Sequence, residues 1–142
     1  MRGGLYDSGQ GVPLDFSKAA AWYRKAAFQG LAAAENDLGR LYDSGHGVPQ
    51  HHSMAAAWYR KAAVQGYAAA EDNLGELYVL GRGVPQDEVS AYKWLALARA
   101  SAKPTATWYA GLSARIAALA AKMTPAQIAQ AQAQARAILK TR

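Results

Sequence analysis

The phrase Gly-x-Gly-Val-Pro occurs three times in this chain, as Gly9-Gln10-Gly11-Val12-Pro13, Gly45-His46-Gly47-Val48-Pro49 and Gly81-Arg82-Gly83-Val84-Pro85. Each copy begins 36 residues after the previous one, at positions 9, 45 and 81. The flanks repeat in the same register, since AWYRKAA at residues 21–27 returns at 57–63. A fixed period of this length indicates a helical solenoid made of stacked repeats.

The repeated phrase has the chemistry of a turn between two helices. Its first glycine suits the left-handed residue that ends a helix, and its proline disfavours helix in the residue before it. Its valine is the one apolar side chain of the loop, so we expect it to pin the loop onto the helices. A phosphate-binding loop is the alternative, but no strand precedes these glycines and no Gly-Lys-Ser/Thr follows them.

Each unit therefore has a first helix before the loop and a second helix after it. Asp15 and Asp87 are candidate N-caps of the second helix, and His51 is a weaker cap at the same position of the middle unit. Gly39 and Gly75 lie inside the first helix at the same phase. Glycine costs about 1 kcal/mol there relative to alanine, so its return predicts a close helix–helix contact that a Cβ would block.

The second helix carries a repeated apolar stripe of alanines and Tyr23 or Tyr59, with i, i+4, i+7 and i+8 spacing. Trp22, Trp58 and Trp94 recur beside this stripe at the same position of each unit. We interpret these tryptophans as repeated core residues rather than as a ligand site.

The period stops after Ala102-Lys103-Pro104, and two further helices are predicted. The first, Thr107 to about Met123, buries Tyr109, Leu112, Ile116 and Leu119. The second, Pro125 to about Lys140, begins with a capping box at Thr124 and buries Ile128, Ala131, Ala135, Ile138 and Leu139. A pair with one polar face covers the end of a solenoid. The predicted divisions are a partial first repeat (1–30), two full repeats (31–66 and 67–102) and C-terminal capping helices (103–142).

These motifs resemble the Sel-one-like repeat family, a branch of the tetratricopeptide-like helical solenoids found in bacteria. The family phrase A-x₃-LG-x₂-Y-x₂-G-x-GV-x₂-D-x₂-KA-x₂-WY-x-KAA-x-QG is matched from Ala34 to Gly66, with departures at His51 and Met54. The resemblance implies an all-α, right-handed superhelix of antiparallel helix pairs whose concave face binds other proteins. A cysteine-rich bacterial subgroup is linked to β-lactam binding or hydrolysis, but its disulfides have no counterpart in a chain without cysteine.

Composition narrows the class of protein. The absence of cysteine excludes disulfides, thiolate catalysis and cysteine-based zinc sites. No apolar run is long enough to span a membrane, and the N-terminus does not begin a signal peptide. The net charge of +6 belongs to residues 87–142, where eight Lys/Arg face two acids, whereas residues 1–86 carry eight of each sign. We interpret this as a solvated basic end, with docking to an acidic partner or an anionic surface as the alternative.

The sequence contains no motif for nucleophilic, zinc-dependent or nucleotide-dependent catalysis. Its three histidines, His46, His51 and His52, lie in one loop and are weak candidates for a metal site. The acid pairs Glu35/Asp37 and Glu71/Asp72 are interpreted as solvated groove charges. We therefore expect no enzyme and no cofactor.

The expected function is that of an adaptor or scaffold that binds another protein or peptide. Specificity can reside where the units differ, so the predicted groove residues are Asn36, Arg40 and Asp43 with their equivalents Asp72, Glu76 and Val79. Each triplet has i, i+4, i+7 spacing and shares one helix face. The alternatives are an envelope-associated hydrolase or enzyme accessory, and nucleic-acid binding through the basic C-terminal end, although dispersed cations without interleaved aromatics make nucleic acid an unexpected partner. We expect a soluble chain whose compartment, cytoplasm or periplasm, depends on whether a longer parent protein carries a signal.

The N-terminal end carries a further expectation. Residues 1–8 resemble the tail of a helix whose beginning is missing. Trp22, Tyr23 and Phe28 would then lack the helix that covers their equivalents in later units. Association with another copy of the chain through this end is the resulting prediction.

Overall fold

The computed structural model describes residues 15–142, and within that range the chain forms seven helices and no strand. The helices are α1 (Phe16–Ala27), α2 (Ala32–Ser44), α3 (His52–Ala63), α4 (Ala68–Leu80), α5 (Glu88–Ser101), α6 (Tyr109–Ala120) and α7 (Pro125–Leu139). The predicted all-α solenoid is confirmed. The predictions for Gly9–Pro13 and for a helix tail in residues 1–8 lie outside the described residues.

Consecutive helices pack in the order that a solenoid requires. We call α2 with α3 unit 2 and α4 with α5 unit 3, while α1 is the second helix of unit 1. Each first helix packs against the second helix of its own unit and against that of the preceding unit. Both C-terminal helices, α6 and α7, pack against α5. The last second helix is therefore covered by two elements that do not follow the 36-residue period.

The loops of units 2 and 3 have the geometry that their glycines predict. Gly45 and Gly81 end the first helices in the left-handed region, at φ 76° and 65°. The second glycine of each loop lies against the start of the preceding second helix, because a Cβ on Gly47 would stand 2.0 Å from the Phe16 carbonyl oxygen. A Cβ on Gly83 would stand 2.3 Å from the His52 carbonyl oxygen. These glycines are therefore required for packing between units.

Side-chain caps start the second helices as expected. The carboxylate of Asp15 accepts from the Lys18 N–H at 3.0 Å, and that of Asp87 accepts from the N–H groups of Val89 and Ser90. In unit 2 the cap is a ring nitrogen, since Nδ1 of His51 accepts from the Met54 N–H at 3.1 Å. A histidine thus keeps the capping function at this position, although it departs from the repeat consensus.

The core is built from leucine, alanine and aromatic residues at repeated positions. Leu38 and Leu74 are fully buried in successive first helices. A Cβ on Gly39 would lie 2.7 Å from the ring of Tyr59, and one on Gly75 would lie 2.8 Å from Leu95. The close contact predicted from these glycines is therefore confirmed in both units.

The tryptophans follow the predicted core position only in part. Trp58 and Trp94 are buried, with 9% and 4% of their surface exposed. Trp58 packs among Ala27, Ala34 and Leu38, which belong to α1 and α2. Trp22 is 38% exposed, so its assignment to the core is wrong.

The C-terminal segment agrees with its sequence pattern except at its margins. Leu112, Ile116 and Leu119 are buried on one face of α6, but this helix is shorter than predicted because residues 121–123 form a turn. The capping box at Thr124 is present. The predicted burial of Leu139 is wrong, since this side chain is 39% exposed at the end of α7. No helix in residues 15–142 has the length and apolar character needed to cross a bilayer.

Candidate partner-binding groove

A large open cavity lies over unit 2, on the face of α2 that carries Arg40. Its volume is about 540 Å³. It is lined by the aromatic residues Phe16, Tyr23 and Tyr59, together with Asp37, Arg40, Leu41, Asp43, Ser44, His46 and Asn73. Three successive units contribute to it, since these residues come from α1, α2, α3, α4 and the unit 2 loop. Aromatic and charged side chains therefore face one open space, a mixture that protein interfaces favour.

A smaller cavity of about 250 Å³ occupies the same place over unit 3. It is lined by Glu76, Val79, Leu95, Arg115, Ala118, Leu119 and Lys122. Glu76 and Val79 are the 36-residue equivalents of Arg40 and Asp43, and Leu95 is the equivalent of Tyr59. We call the two cavities together the candidate groove, since they lie at equivalent positions along the first helices. Four of the six residues predicted for the groove line these two cavities.

The other two predicted residues, Asn36 and Asp72, lie between successive helices. Asn36 is only 4% exposed, and its Oδ1 accepts a hydrogen bond from Nδ2 of Asn73 at 2.9 Å. The Asp72 side chain is 15% exposed and accepts from Arg115 at 2.6 Å. This position of the repeat therefore joins α2 to α4, and α4 to α6, rather than facing the open groove.

Arg115 is a groove residue that the sequence pattern did not identify. Its Nη2 lies 2.6 Å from Oδ1 of Asp72 and 2.7 Å from Oε1 of Glu76, so one guanidinium bridges two of the three acids of α4. The contact joins residues 43 positions apart. No periodicity points to it, because α6 lies outside the repeats.

The cation over unit 2 is more accessible than the cation over unit 3, whose side chain is 38% exposed. The Arg40 side chain is 61% exposed, and its guanidinium lies 3.4 Å from the Asp37 carboxylate. Asp43 lies 2.7 Å from Nδ1 of His52 and is a quarter exposed. Burial, with a further contribution from Asp43, raises the pKa of Tyr59 well above its usual value. Tyr59 therefore keeps a neutral hydroxyl in the wall of the cavity, while its ring is buried against Gly39.

The three histidines each have a separate structural partner. His46 stacks on Phe16, with ring centroids 4.4 Å apart, and its Nδ1 lies 2.9 Å from Oγ of Ser44. His51 caps α3, and His52 contacts Asp43. Among residues 15–142, no group of three histidines or carboxylates is arranged to hold a metal ion.

Two acids that were expected to be solvated are buried. Glu35 is 4% exposed and Glu71 is fully buried, near the starts of α2 and α4. Gln65 donates to Glu35 at 2.7 Å, and Arg142 donates to Glu71 at 2.5 Å. Burial raises the pKa of both carboxyl groups above 4.5, although Lys61 and Arg142 respectively act in the opposite direction. The prediction that both were groove charges is therefore wrong, because each is a buried link between helices.

Comparison with known proteins identifies the repeats. The Sel1 repeat model matches residues 2–31, 32–67 and 68–101. The Sel1 repeat protein from Oxalobacter formigenes has a similar crystal structure, with 40% identity, a TM-score of 0.67 and coverage of 72% of this chain and 42% of that one. No curated protein matches the sequence.

A second solved structure extends the similarity over nearly the whole chain. It is c5321, a protective antigen present in uropathogenic Escherichia coli strains and displaying an SLR fold. The identity is 32%, the TM-score is 0.83, and the match covers 98% of this chain but 29% of that one. The chain thus spans less than half the length of either bacterial protein. Three matching repeats and the close structural likeness show that this chain belongs to the Sel1 repeat family.

Proposed function

We propose that this chain is a non-enzymatic interaction module that holds an extended peptide or a helix of a partner protein in the groove over unit 2. Sel1 repeat proteins are generally scaffolds for protein interactions. The observation that carries the finer proposal is the cavity of about 540 Å³, which is lined by three aromatic rings beside the exposed guanidinium of Arg40.

The chemistry of this cavity suits a polypeptide. Tyrosine and arginine are enriched where protein interfaces concentrate their binding energy, since they combine a large contact area with hydrogen-bonding groups. Tyr23 supplies a partly exposed ring, while Arg40 can pair with a carboxylate or a main-chain carbonyl. Asp43 adds an acceptor at the loop end of the groove.

The groove also places variable residues on a constant frame. Leu38, Gly39 and Leu41 recur 36 residues later as Leu74, Gly75 and Leu77, and these residues are buried. The positions that line the cavities change sign or polarity, because Arg40 becomes Glu76 and Asp43 becomes Val79. A partner that contacts both units would therefore meet a distinct pattern in each.

Affinity capture from the native cell tests this proposal. We expect Arg40→Glu to reduce recovery of the specific partner by at least about tenfold, since reversing a charge at an interface loses an ion pair and adds repulsion. Stability should change by no more than about 0.5 kcal/mol, because the Arg40 side chain is mostly exposed.

The matched control is Arg136→Glu, which reverses an exposed charge on α7, away from the groove. Glu76→Arg provides a second groove variant in unit 3. Recovery of the same partners at the same yield by wild type, Arg40→Glu and Arg136→Glu would contradict the groove assignment.

Association of two copies through the N-terminal end remains part of the proposal. Trp22 and Phe28 are 38% and 72% exposed, whereas the equivalent Trp58 is covered. A concentration-dependent dimer in light scattering that is lost in Trp22→Ser would support this mode. A monomeric mass at every concentration would contradict it.

A further inference from the structure

One edge of the solenoid exposes large apolar side chains at repeated positions. We call it the turn edge: there, each second helix ends and the next first helix begins, at residues 28–31, 64–67 and 102–108. Phe28 and Leu31 are 72% and 55% exposed, and their 36-residue equivalents Val64 and Tyr67 are 65% and 36% exposed. These side chains protrude from the tips of two successive turns.

A lysine accompanies the apolar side chains at each of the three turns. Lys25 lines a cavity of about 200 Å³ with Trp22 and Leu31. Lys61 places its Nζ 5.3 Å from the centroid of the Trp58 ring. Phe28 packs edge-on against the same tryptophan, with the two ring centroids 5.7 Å apart.

The third turn repeats the combination with different residues. Lys103 replaces the tyrosine of the preceding turn and lines a cavity of about 360 Å³ with Tyr67 and Trp108. Lysine stems and aromatic rings are amphipathic, so such groups are suited to a boundary between water and an apolar phase.

The acids near this edge do not offset the lysines at the surface. Glu35 and Glu71 lie close to the turns but are buried and bonded to Gln65 and Arg142. The other acids in residues 15–142 lie away from the turns. Some lie within the first helices, namely Asp37, Asp43, Asp72 and Glu76, and the rest lie at the starts of second helices, namely Asp15, Asp87 and Glu88. Within the described chain, the exposed charges of the turn edge are therefore cationic.

We propose that the turn edge docks on an anionic lipid surface, with the lysines at the headgroup phosphates and the protruding apolar side chains in the interfacial region. This inference goes beyond the groove function and uses none of the groove residues, whereas Trp22 and Phe28 also belong to the proposed N-terminal association. A bilayer fits better than an acidic protein segment, because Phe28 and Val64, the two most exposed apolar side chains of the edge, protrude at 72% and 65% exposure from the tips of successive turns. Apolar insertion and attraction by basic residues act together in such binding.

Vesicle sedimentation tests the proposal with the full chain. We expect binding to vesicles that contain phosphatidylglycerol, weak or no binding to pure phosphatidylcholine, and release as salt is raised. Lys25→Gln/Lys61→Gln should lower the partition coefficient by roughly 25-fold, at about fivefold for each lysine. Phe28→Ser/Val64→Ser should lower it by at least about tenfold while leaving the fold intact, because both side chains are largely exposed.

The matched control is Lys122→Gln/Arg82→Gln, which removes two exposed cations outside the turn edge. Its partition coefficient should stay within about twofold of wild type once the smaller net charge is considered. The groove variant Arg40→Glu should also retain vesicle binding, which separates this proposal from the proposed function.

Three outcomes would overturn the proposal. The first is a lack of binding to anionic vesicles. The second is an equal loss in the turn-edge and control variants, which would indicate attraction by net charge alone. The third is binding to polyglutamate but not to vesicles, which would assign the edge to an acidic protein partner.

Discussion

Units 2 and 3 bury a carboxylate at the same position of the repeat but pair it with different groups. In unit 2, Glu35 accepts from Gln65, a neutral side chain that follows the second helix of the same unit. In unit 3 the equivalent of Gln65 is Ser101, and the guanidinium of Arg142 reaches both Glu71 and the Ser101 hydroxyl. Arg142, which lies outside the repeats, therefore takes the place at Glu71 that Gln65 has at Glu35.

The groove differs between the two units for a related reason. Over unit 2 the cavity is about 540 Å³ and Arg40 is exposed, whereas over unit 3 Arg115 bridges Asp72 and Glu76 beside a cavity of about 250 Å³. The C-terminal helices thus neutralise the acids of the last unit. The comparison supports the proposal that a partner binds over unit 2, where the cation stays open, whereas the acids of unit 3 are bridged to the end of the solenoid.

The largest effect is expected from breaking the buried ion pair of unit 3. Arg142→Ala should lower the free energy of unfolding by about 3 kcal/mol, because it leaves the fully buried Glu71 carboxylate without its cation. Gln65→Ala is the matched change in unit 2 and should cost about 1 kcal/mol, since Lys61 still acts on Glu35. Urea denaturation followed by circular dichroism measures both.

The same variants have a defined pH dependence. The folded pKa of Glu71 lies above 4.5, so the folded chain binds this proton more tightly than the unfolded chain does. The protonated Glu71 therefore contributes stability that is fully present below its pKa in the unfolded chain. This contribution is lost as pH rises through its pKa in the folded chain. Arg142→Ala removes the group that opposes the shift, so its deficit should be smallest near pH 4.5 and largest at about pH 7. A deficit that is independent of pH would contradict the assignment to Glu71.

An intermediate effect is expected where the two units share their frame. Gly39→Ala and Gly75→Ala should each cost about 2 kcal/mol, because the new methyl would collide with the buried Tyr59 or Leu95 side chain. Thermal unfolding measures both. Gly111→Ala in α6 is the control: nothing lies within 4 Å of its Cβ position, so it should stabilise the chain by up to about 1 kcal/mol. A large difference between the costs of Gly39→Ala and Gly75→Ala would mean that the units are not packed alike.

The smallest effect is expected at the groove charges. Arg115→Met should cost about 1 kcal/mol, because it leaves Asp72 and Glu76 unpaired in a partly buried place. Arg40→Met should change stability by less than about 0.5 kcal/mol, since its side chain is mostly exposed. Denaturant titration in low and high salt separates the two. Equal costs would remove the distinction between a closed unit 3 and an open unit 2.

The repeated elements were predictable because their causes are local. Gly45 and Gly81 end helices in the left-handed region, Asp15 and Asp87 cap helices, and the contacts of Gly39 and Gly75 follow from glycine at a fixed phase. The equivalence of Arg40 with Glu76 and of Asp43 with Val79 was also readable from the 36-residue period. These residues line the groove because the helix face is set by spacing.

Other features could not be read from spacing. Asn36 and Asp72 share the face of Arg40 and Glu76, yet they lie one turn earlier, where the next helix covers them. Tyr59 was interpreted as core, and it is buried, but it also lines the cavity. Burial of Glu35 was unexpected because a carboxylate is usually solvated unless a specific partner reaches it.

The sequence by itself determined the solenoid, its unit length, its caps and its turns, since each depends on the conformational preferences of residues close together in the chain. Only the tertiary structure decided which charges are buried, which are bridged and which stay open. Arg142 meets Glu71 across 71 residues and Arg115 meets Asp72 across 43, and both cations come from segments without the repeat. Such contacts depend on how α6 and α7 pack on α5, and packing between distant segments leaves no period in the sequence.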